Sequence, residues 1–366
     1  MQIPLLDLKA QYNTCKDEIA RAIAEVCESQ AFALGPAVTA FEKNIADYCG
    51  CKYAIGVSSG TDALLIALMA LDIQPGDEVI TTPFTFFASA GSIARLGATP
   101  VFADVNPGSY NIDPAAIEQK VTEKTKALMP VHLFGQVAQM QEIAAIAKRY
   151  NLNIVEDAAQ AIGAARDGVK AGGFGDCGCF SFYPTKNLNA FGDAGLVVTG
   201  NEYIAEKLRI LRNHGQNPAY FYRIIGGNFR LDSIQAAVLD VKLKYLEGWN
   251  EKRRQHAAIY DEILADSPVA TPKIDPGAKS IYHQYTITAP DRDALKEFLA
   301  GSGIASAVFY PKPLHLQDCF KNLGYNEGDL PVAEKLCREV LSLPIYPELT
   351  AEQVERIAKT VLKFYE

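Results

Sequence analysis

The sequence predicts an α/β fold with a mostly parallel sheet, followed by a smaller α+β region. From Tyr53 to about Val198, short β-branched apolar runs alternate with longer runs at helical spacing, the pattern of stacked βαβ units. After about Leu231 long helical patterns dominate, interrupted by isolated strand-like runs. No repeat of about 20 to 50 residues recurs, and no low-complexity linker divides the halves, so the two regions should pack closely. The expected division is a large domain over 1–245, with an N-terminal arm, and a small domain over 246–366.

Taken in order, Ala54–Val57, Glu78–Thr81, Thr99–Ala103, Ala127–Val131 and Asn153–Glu156 are the candidate strands. Between them Asp62–Leu71, Ala88–Leu96, Pro114–Lys120 and Met140–Tyr150 carry apolar residues at helical spacing, with Pro, Gly or Asn near their ends. Cys179–Tyr183 and Gly195–Thr199 are strand-like runs joined by a polar, glycine-containing loop, which predicts a hairpin or adjacent strands. Helical patterns then continue through Ala265. They are followed by a strand at Gln284–Thr288, a helix at Asp291–Ala300, a strand at Ala305–Phe309, and helices at Pro331–Val340 and Ala351–Phe364.

Composition excludes several classes of function. A chain of 366 residues with 49% hydrophobic content can bury roughly 75% of its unfolded surface and requires no disulfides. A net charge of -8 argues against the basic stripe of a nucleic-acid-binding protein. No apolar run approaches the roughly 18 to 20 residues that span a bilayer, and Met1-Gln2-Ile3-Pro4 lacks the regions of a signal peptide. The expectation is a cytoplasmic protein with no membrane partner. Eight cysteines occur without a C-x-x-C pair, and five histidines lie far apart. The C-x-C pairs Cys49/Cys51 and Cys177/Cys179 therefore read as buried thiols in a reducing compartment, and no metal site is expected.

Gly173-Phe174-Gly175-Asp176-Cys177-Gly178 matches G-x-G-x-x-G letter for letter. The fingerprint operates only between a strand and a helix. Here an apolar strand follows it, so the run reads as a glycine-rich turn. Ser58-Ser59-Gly60-Thr61-Asp62 follows a strand and opens a helix. It is either a simple N-cap by Ser59 or Thr61, or an anion site built from first-turn N–H groups. Glu156 and Asp157 stand where a buried strand ends, the edge at which α/β sheets hold ligands. Side chains alternate there, so one acid faces the cleft and the other faces away. Ser181-Phe182-Tyr183-Pro184-Thr185-Lys186 places a lysine just after a strand. In isolation such a lysine is solvated. An amine near a carboxylate and a phosphate cradle has the parts of a Schiff-base site for pyridoxal phosphate.

These segments occur in a characteristic order: Gly60-Thr61-Asp62-Ala63-Leu64, Gly76-Asp77-Glu78-Val79-Ile80, Glu156-Asp157-Ala158-Ala159-Gln160, the Ser181 to Lys186 run, and Asn228-Phe229-Arg230-Leu231-Asp232. Together they resemble the DegT/DnrJ/EryC1/StrS family of sugar-nucleotide aminotransferases, from Ile3-Pro4-Leu5-Leu6-Asp7-Leu8 to Leu343-Pro344-Ile345-Tyr346-Pro347. The resemblance implies pyridoxal phosphate as cofactor and the type I fold of its transferases, aspartate aminotransferase-like. It implies that Lys186 forms the Schiff base and shuttles the proton, that Asp157 pairs with the ring nitrogen, and that Gln160 bonds the ring hydroxyl. Phe86 would stack on the ring, with Phe84 and Phe87 in the core. Gly60, Thr61 and Ser181 would hold the phosphate, joined by Asn228 from a neighbouring subunit, which implies a homodimer. Dehydratase-like relatives carry histidine in place of this lysine, so Lys186 favours amino transfer, with L-glutamate as donor and a nucleotide-linked keto sugar as acceptor.

Ser306 to Gln317 resembles the substrate-proximal stretch of members that aminate C3 of 3-keto sugars on UDP or dTDP, in amino-sugar or surface-polysaccharide biosynthesis. Many of these have histidine where this chain has Phe309, so a histidine contact there does not carry over. Arg223, Arg230, Tyr310 and His315 are the polar candidates for binding diphosphate or sugar, with surface exposure as the alternative. Three other readings stand beside this one: a 4-keto sugar aminotransferase, a non-catalytic regulatory protein that binds the cofactor, and a cysteine desulfurase. No cysteine stands in a mobile Gly/Ser-rich loop of the kind the last would require.

Overall fold

The structure is a computed structural model that describes residues 2–366. Its frame is a seven-stranded sheet in the order β1-β9-β8-β5-β4-β2-β3. The strands are β1 (Tyr53–Val57), β2 (Glu78–Thr81), β3 (Thr99–Phe102), β4 (Thr125–Leu128), β5 (Asn153–Asp157), β8 (Cys177–Ser181) and β9 (Gly195–Thr199). Short pairs β6 (Ala165–Arg166) and β7 (Val169–Lys170) join β10 (Ala278–Lys279) in a small three-stranded sheet. In the large sheet only β9 runs against its neighbours, pairing antiparallel with β8 and β1. The remaining contacts, β3 to β2, β2 to β4, β4 to β5 and β5 to β8, are parallel.

Successive residues of each strand feed opposite faces, and each face has its own core. Ala54, Ile80, Leu128 and Ile154 pack on α3 (Pro36–Cys49), α7 (Met140–Tyr150) and α9 (Ser233–Leu243), with α6 (Pro114–Glu118) beside them. Ile55, Val79, Ala127 and Val155 pack on α4 (Gly60–Ala70), α5 (Ala88–Arg95) and α8 (Glu202–Leu211). Burial on both faces explains why these strands read as continuous apolar runs.

The second body contains α10 (Leu246–Leu264), α11 (Arg292–Gly301), α12 (Pro331–Glu339) and α13 (Ala351–Phe364) around an antiparallel pair, β11 (Tyr285–Thr288) and β12 (Val340–Leu343). The N-terminal segment also belongs to this core. Ile3 is buried there, and its N–H donates to the Gly303 carbonyl at 2.8 Å. Helices α1 (Leu8–Asn13) and α2 (Lys16–Ser29) then lead back to α9. A third cluster, in which Phe84, Tyr110 and Phe134 meet Leu336, Cys337 and Val340, locks the two bodies together.

Two sequence expectations are corrected. Ala305–Phe309 forms no strand: Ala305 N donates to Ile3 O, and Ala307 exchanges backbone hydrogen bonds with Ser342 of β12. Phe309 at its end lines a cavity instead of extending a ladder. The helix expected over Pro331–Val340 stops at Glu339, where the chain enters β12 to pair with β11.

The glycine-rich turn acts as a carboxylate clamp. Glu156 is fully buried. One of its oxygens accepts from Phe174 N (2.8 Å) and Gly175 N (2.7 Å), the other from Gly172 N (2.8 Å) and His132 Nε2 (2.9 Å). His132 Nδ1 accepts from Ala138 N at 3.2 Å, so the ring proton is on Nε2. The clamp closes tightly because a Cβ on Gly178 would sit 2.2 Å from Gly172 Cα. Glu156→Ala strands four buried donors and should cost about 3 kcal/mol. Urea unfolding followed by circular dichroism should show a midpoint lowered by roughly 1 M.

Candidate active site

Strand β5 ends in two acids that leave opposite faces of the sheet. Glu156 enters the clamp, and Asp157 faces a cavity of about 780 Å³ bounded by both bodies. Asp157 Oδ2 accepts from Ser89 Oγ at 2.7 Å and Oδ1 from Ala159 N at 3.2 Å. Burial nevertheless pushes its carboxyl up from the usual range, opposed by those two bonds and by the charge of Lys186. A carboxylate in this position is stabilised by any cation that enters the cavity.

Lys186 lies in the loop between β8 and β9 and lines the same cavity. The loop is held by Lys186 N donating to Tyr183 O and Asn189 Nδ2 donating to Lys186 O, each at 2.9 Å. Desolvation lowers the ammonium to about 8, with Asp157 acting in the opposite direction. A substantial neutral fraction near physiological pH makes this amine a nucleophile and a proton carrier.

The start of α4 supplies the third part. Ser59 is the N-cap, its Oγ accepting from Asp62 N at 3.1 Å. The preceding first-turn N–H groups, on Gly60 and Thr61, have no intrahelical acceptor. Ser59 thus caps the helix, and Gly60 and Thr61 line the cavity with Ser181. A Cβ on Gly60 would meet Ser181 Cβ at 2.5 Å, so glycine is what lets the helix end abut β8. Phe86 presents a 59% exposed ring at the rim. Gln160 Oε1 accepts from Phe134 N at 2.7 Å, and its Nε2 donates to Tyr310 Oη at 3.1 Å.

Thus Gly60, Thr61, Phe86, Asp157, Gln160, Ser181, Lys186 and Tyr310 share one cavity. Asn228, Arg223 and Arg230 do not line it within this chain. They lie on the segment between α8 and α9, with Arg223 and Asn228 exposed and Arg230 donating to Asn213 Oδ1 at 3.0 Å. His315 is a correction. It is buried against Phe102 and Tyr325, and its Nε2 bonds Glu334 at 3.1 Å, so it holds the approach to α12 and reaches no cavity. Phe84 is in the core as expected, whereas Phe87 is 48% exposed and stacks on Phe320. Ser89, Arg253 and His283 were missed. Arg253 sits in Lys252-Arg253-Arg254, which reads as a solvated charge run, and His283 has no neighbour at a metal-ligand spacing to mark it.

These groups fit the cofactor that the resemblance implies. A helix end shaped by Gly60 suits a phosphate, the incompletely paired Asp157 suits a cationic ring nitrogen, and Lys186 suits an aldehyde carbon. The profile of the DegT/DnrJ/EryC1/StrS aminotransferase family matches residues 13–362. The chain is 52% identical to a pleiotropic regulatory protein of Geobacillus stearothermophilus, over 100% of this chain and 99% of the relative. It is 45% identical to a UDP-N-acetyl-3-dehydro-alpha-D-glucosamine 3-aminotransferase of Acidithiobacillus ferrooxidans, over 98% and 97%. The crystal structure of S. venezuelae DesV in complex with a ketimine intermediate superposes with a TM-score of 0.98, at 42% identity, covering 100% of this chain and 99% of that one.

Two outcomes follow from the geometry. Acetylation of Lys186 in the apoprotein, read by peptide mass spectrometry, should rise with pH through a midpoint near 8. In Asp157→Asn that midpoint should fall, because the carboxylate favours the charged amine. Gly60→Ala should weaken pyridoxal phosphate binding by at least about tenfold, or 1.4 kcal/mol, measured by equilibrium titration.

Proposed function

The chain belongs to the DegT/DnrJ/EryC1/StrS aminotransferase family, and on that footing we propose that it transfers an amino group from L-glutamate to a nucleotide-linked 3-keto hexose or hexuronic acid. Enzymes of this family depend on pyridoxal phosphate. The observation that carries the proposal is the convergence of the Lys186 amine, the Asp157 carboxylate and the α4 N-terminus in one cavity. The substrate in the name of the Acidithiobacillus relative supports amination at C3 of a sugar on UDP, and the same chemistry applies to a dTDP sugar.

When bound, pyridoxal phosphate supplies an aldehyde for imine formation and a ring that stores the electron pair left by C–H deprotonation. The chain supplies everything else. Gly60 and Thr61 N–H and the Ser181 hydroxyl would hold the phosphate. Asp157 would keep a proton on the ring nitrogen, and Gln160, already tied to Tyr310, would bond the ring hydroxyl. Phe86, exposed at the rim, would shield the ring from water. Lys186 Nζ would carry a proton from the donor carbon to the cofactor in one half-reaction and from the cofactor to the sugar carbon in the other, and a pKa near 8 suits both directions.

The working assembly is a homodimer in which Asn228 of the partner subunit completes the phosphate cradle. Arg223 and Arg230 lie on the same segment as Asn228 and serve the diphosphate or sugar. The reaction belongs in the cytoplasm, in amino-sugar or surface-polysaccharide biosynthesis. No helix among the described residues is long and apolar enough to cross a membrane, and all eight cysteines are free thiols.

A second reading, a regulatory protein that holds the cofactor without turnover, is favoured by the name of the Geobacillus relative. Visible absorbance separates the two. The reconstituted protein should show an imine band that L-glutamate converts to the amine form, and Lys186→Ala should show neither band nor conversion. Asp157→Asn should lower kcat for the complete reaction at least about 100-fold, roughly 2.7 kcal/mol. A band that ignores every amino donor decides for the regulatory reading, and turnover of only 4-keto sugars moves the amination site.

A further inference from the structure

We infer that His283 is a hydrogen-bond acceptor in the wall of the active-site cavity, placed to bind a proton donor of the substrate at its Nε2. The inference rests on the aminotransferase reading above. It starts from Asn187, the residue after Lys186, whose amide is buried. Asn187 Nδ2 donates to Asn250 Oδ1 at 2.9 Å and to Ile281 O at 3.3 Å, which uses both of its hydrogens. Asn250 is oriented in turn, because its Nδ2 donates to Ile162 O at 3.2 Å.

With both amides fixed, Asn187 Oδ1 is the atom that meets His283 Nδ1, at 3.0 Å. A carbonyl oxygen only accepts, so Nδ1 carries the proton. In a neutral imidazole the other nitrogen then holds a lone pair. Among the described residues no protein group bonds Nε2, and it is not one of the sealed, unpartnered polar atoms. His283 lines the cavity, and Nε2 is its ring nitrogen left without a protein partner.

Neither a ring flip nor a second proton relaxes this arrangement. A flip would place Cδ2 against Asn187 Oδ1 and break the chain of amides. Arg253 Nη1 donates to the carbonyls of Tyr282 (3.1 Å), His283 (3.4 Å) and Ile345 (2.8 Å), so the backbone carrying the ring is clamped. A second proton would put a buried cation beside the Arg253 guanidinium and, in its charged form, Lys186. Burial and these two charges hold the imidazolium well below its ordinary range.

The cavity is otherwise rich in donors: Lys186, Thr61, Ser181 and the α4 amides. A fixed acceptor that cannot donate selects for a substrate hydroxyl or ammonium at that spot and against a substrate that lacks one. Asp157 and Asp193 also line the cavity but accept as anions, and its hydroxyls donate as well as accept, whereas His283 accepts without adding charge.

The test has two parts. In ¹⁵N-histidine NMR of the apoprotein and the holoenzyme, assigned by loss of the resonance in His283→Gln, His283 should show the Nδ1–H tautomer and no titration from about pH 5.5 to about pH 8.5. In single-turnover kinetics, His283→Phe should lose at least about tenfold in kcat/KM of one half-reaction, and His283→Gln, whose Oε1 accepts, should recover part of it. Loss in the glutamate half identifies the ammonium as the bound donor, and loss in the sugar half identifies a hydroxyl. An Nε2–H tautomer, titration near the usual histidine value, or a His283→Phe enzyme unimpaired in both halves overturns the inference. If the wild-type protein converts no donor at all, the aminotransferase reading fails, and the inference falls with it whatever the tautomer.

Discussion

The structure depends on how two consecutive buried carboxylates are satisfied at the end of β5. An unpaired buried carboxylate costs several kcal/mol, a large share of the roughly 5 to 15 kcal/mol that stabilises a typical domain. Glu156 resolves this within the protein, with three backbone amides and His132 around it. Asp157 has two donors and an open side toward the cavity. Strand alternation turns this adjacency into a division of labour, in which one acid anchors the sheet and the next is left for a ligand. Much of the surrounding architecture serves one acid or the other: the glycine turn and His132 on the Glu156 side, and Ser89 and the start of α5 on the Asp157 side.

The cavity exists because two bodies meet at the carboxyl edge of the sheet, where α/β folds concentrate ligand chemistry. Residues 59–61, 85–89, 157–160 and 181–186 come from that edge. Arg253, His283 and Tyr310 reach it from the second body. Their positions are coupled through a few bonds that cross the boundary, such as Gln160 to Tyr310 and Asn187 to His283. A shift between the bodies would therefore disturb both the ring-facing amide and the lysine loop.

Much of this was legible in the sequence, for a physical reason. Strands buried on both faces must be short apolar runs, and ligand groups lie just beyond them, so the segments of Gly60, Glu156-Asp157 and Ser181 to Lys186 stand out from local pattern, while the choice of Asp157 over Glu156 came from the resemblance. What was not legible is set by distant neighbours. Ala305–Phe309 has strand-like alternation, yet Phe309 and Tyr310 line the cavity, and Ala305 and Ala307 bond to two different segments, at Ile3 and Ser342. His315 looked like a polar site residue because nothing local reveals Glu334, nineteen residues on, as its partner. Arg253 reads as solvated because the carbonyls that bury it come from Tyr282, His283 and Ile345.

The docking of Ile3 beside Ile304 has a consequence for how the molecule is made. Ile3 is made long before β12 and α13, with which it shares that core. The sheet can form while the chain is still growing, but the second body cannot close until β12 and α13 have emerged, and until then the segment around Ile3 waits as an exposed apolar thread. A chain interrupted late in synthesis would leave that thread, and the underside of the unfinished core, open to whatever hydrophobic surface lies nearby.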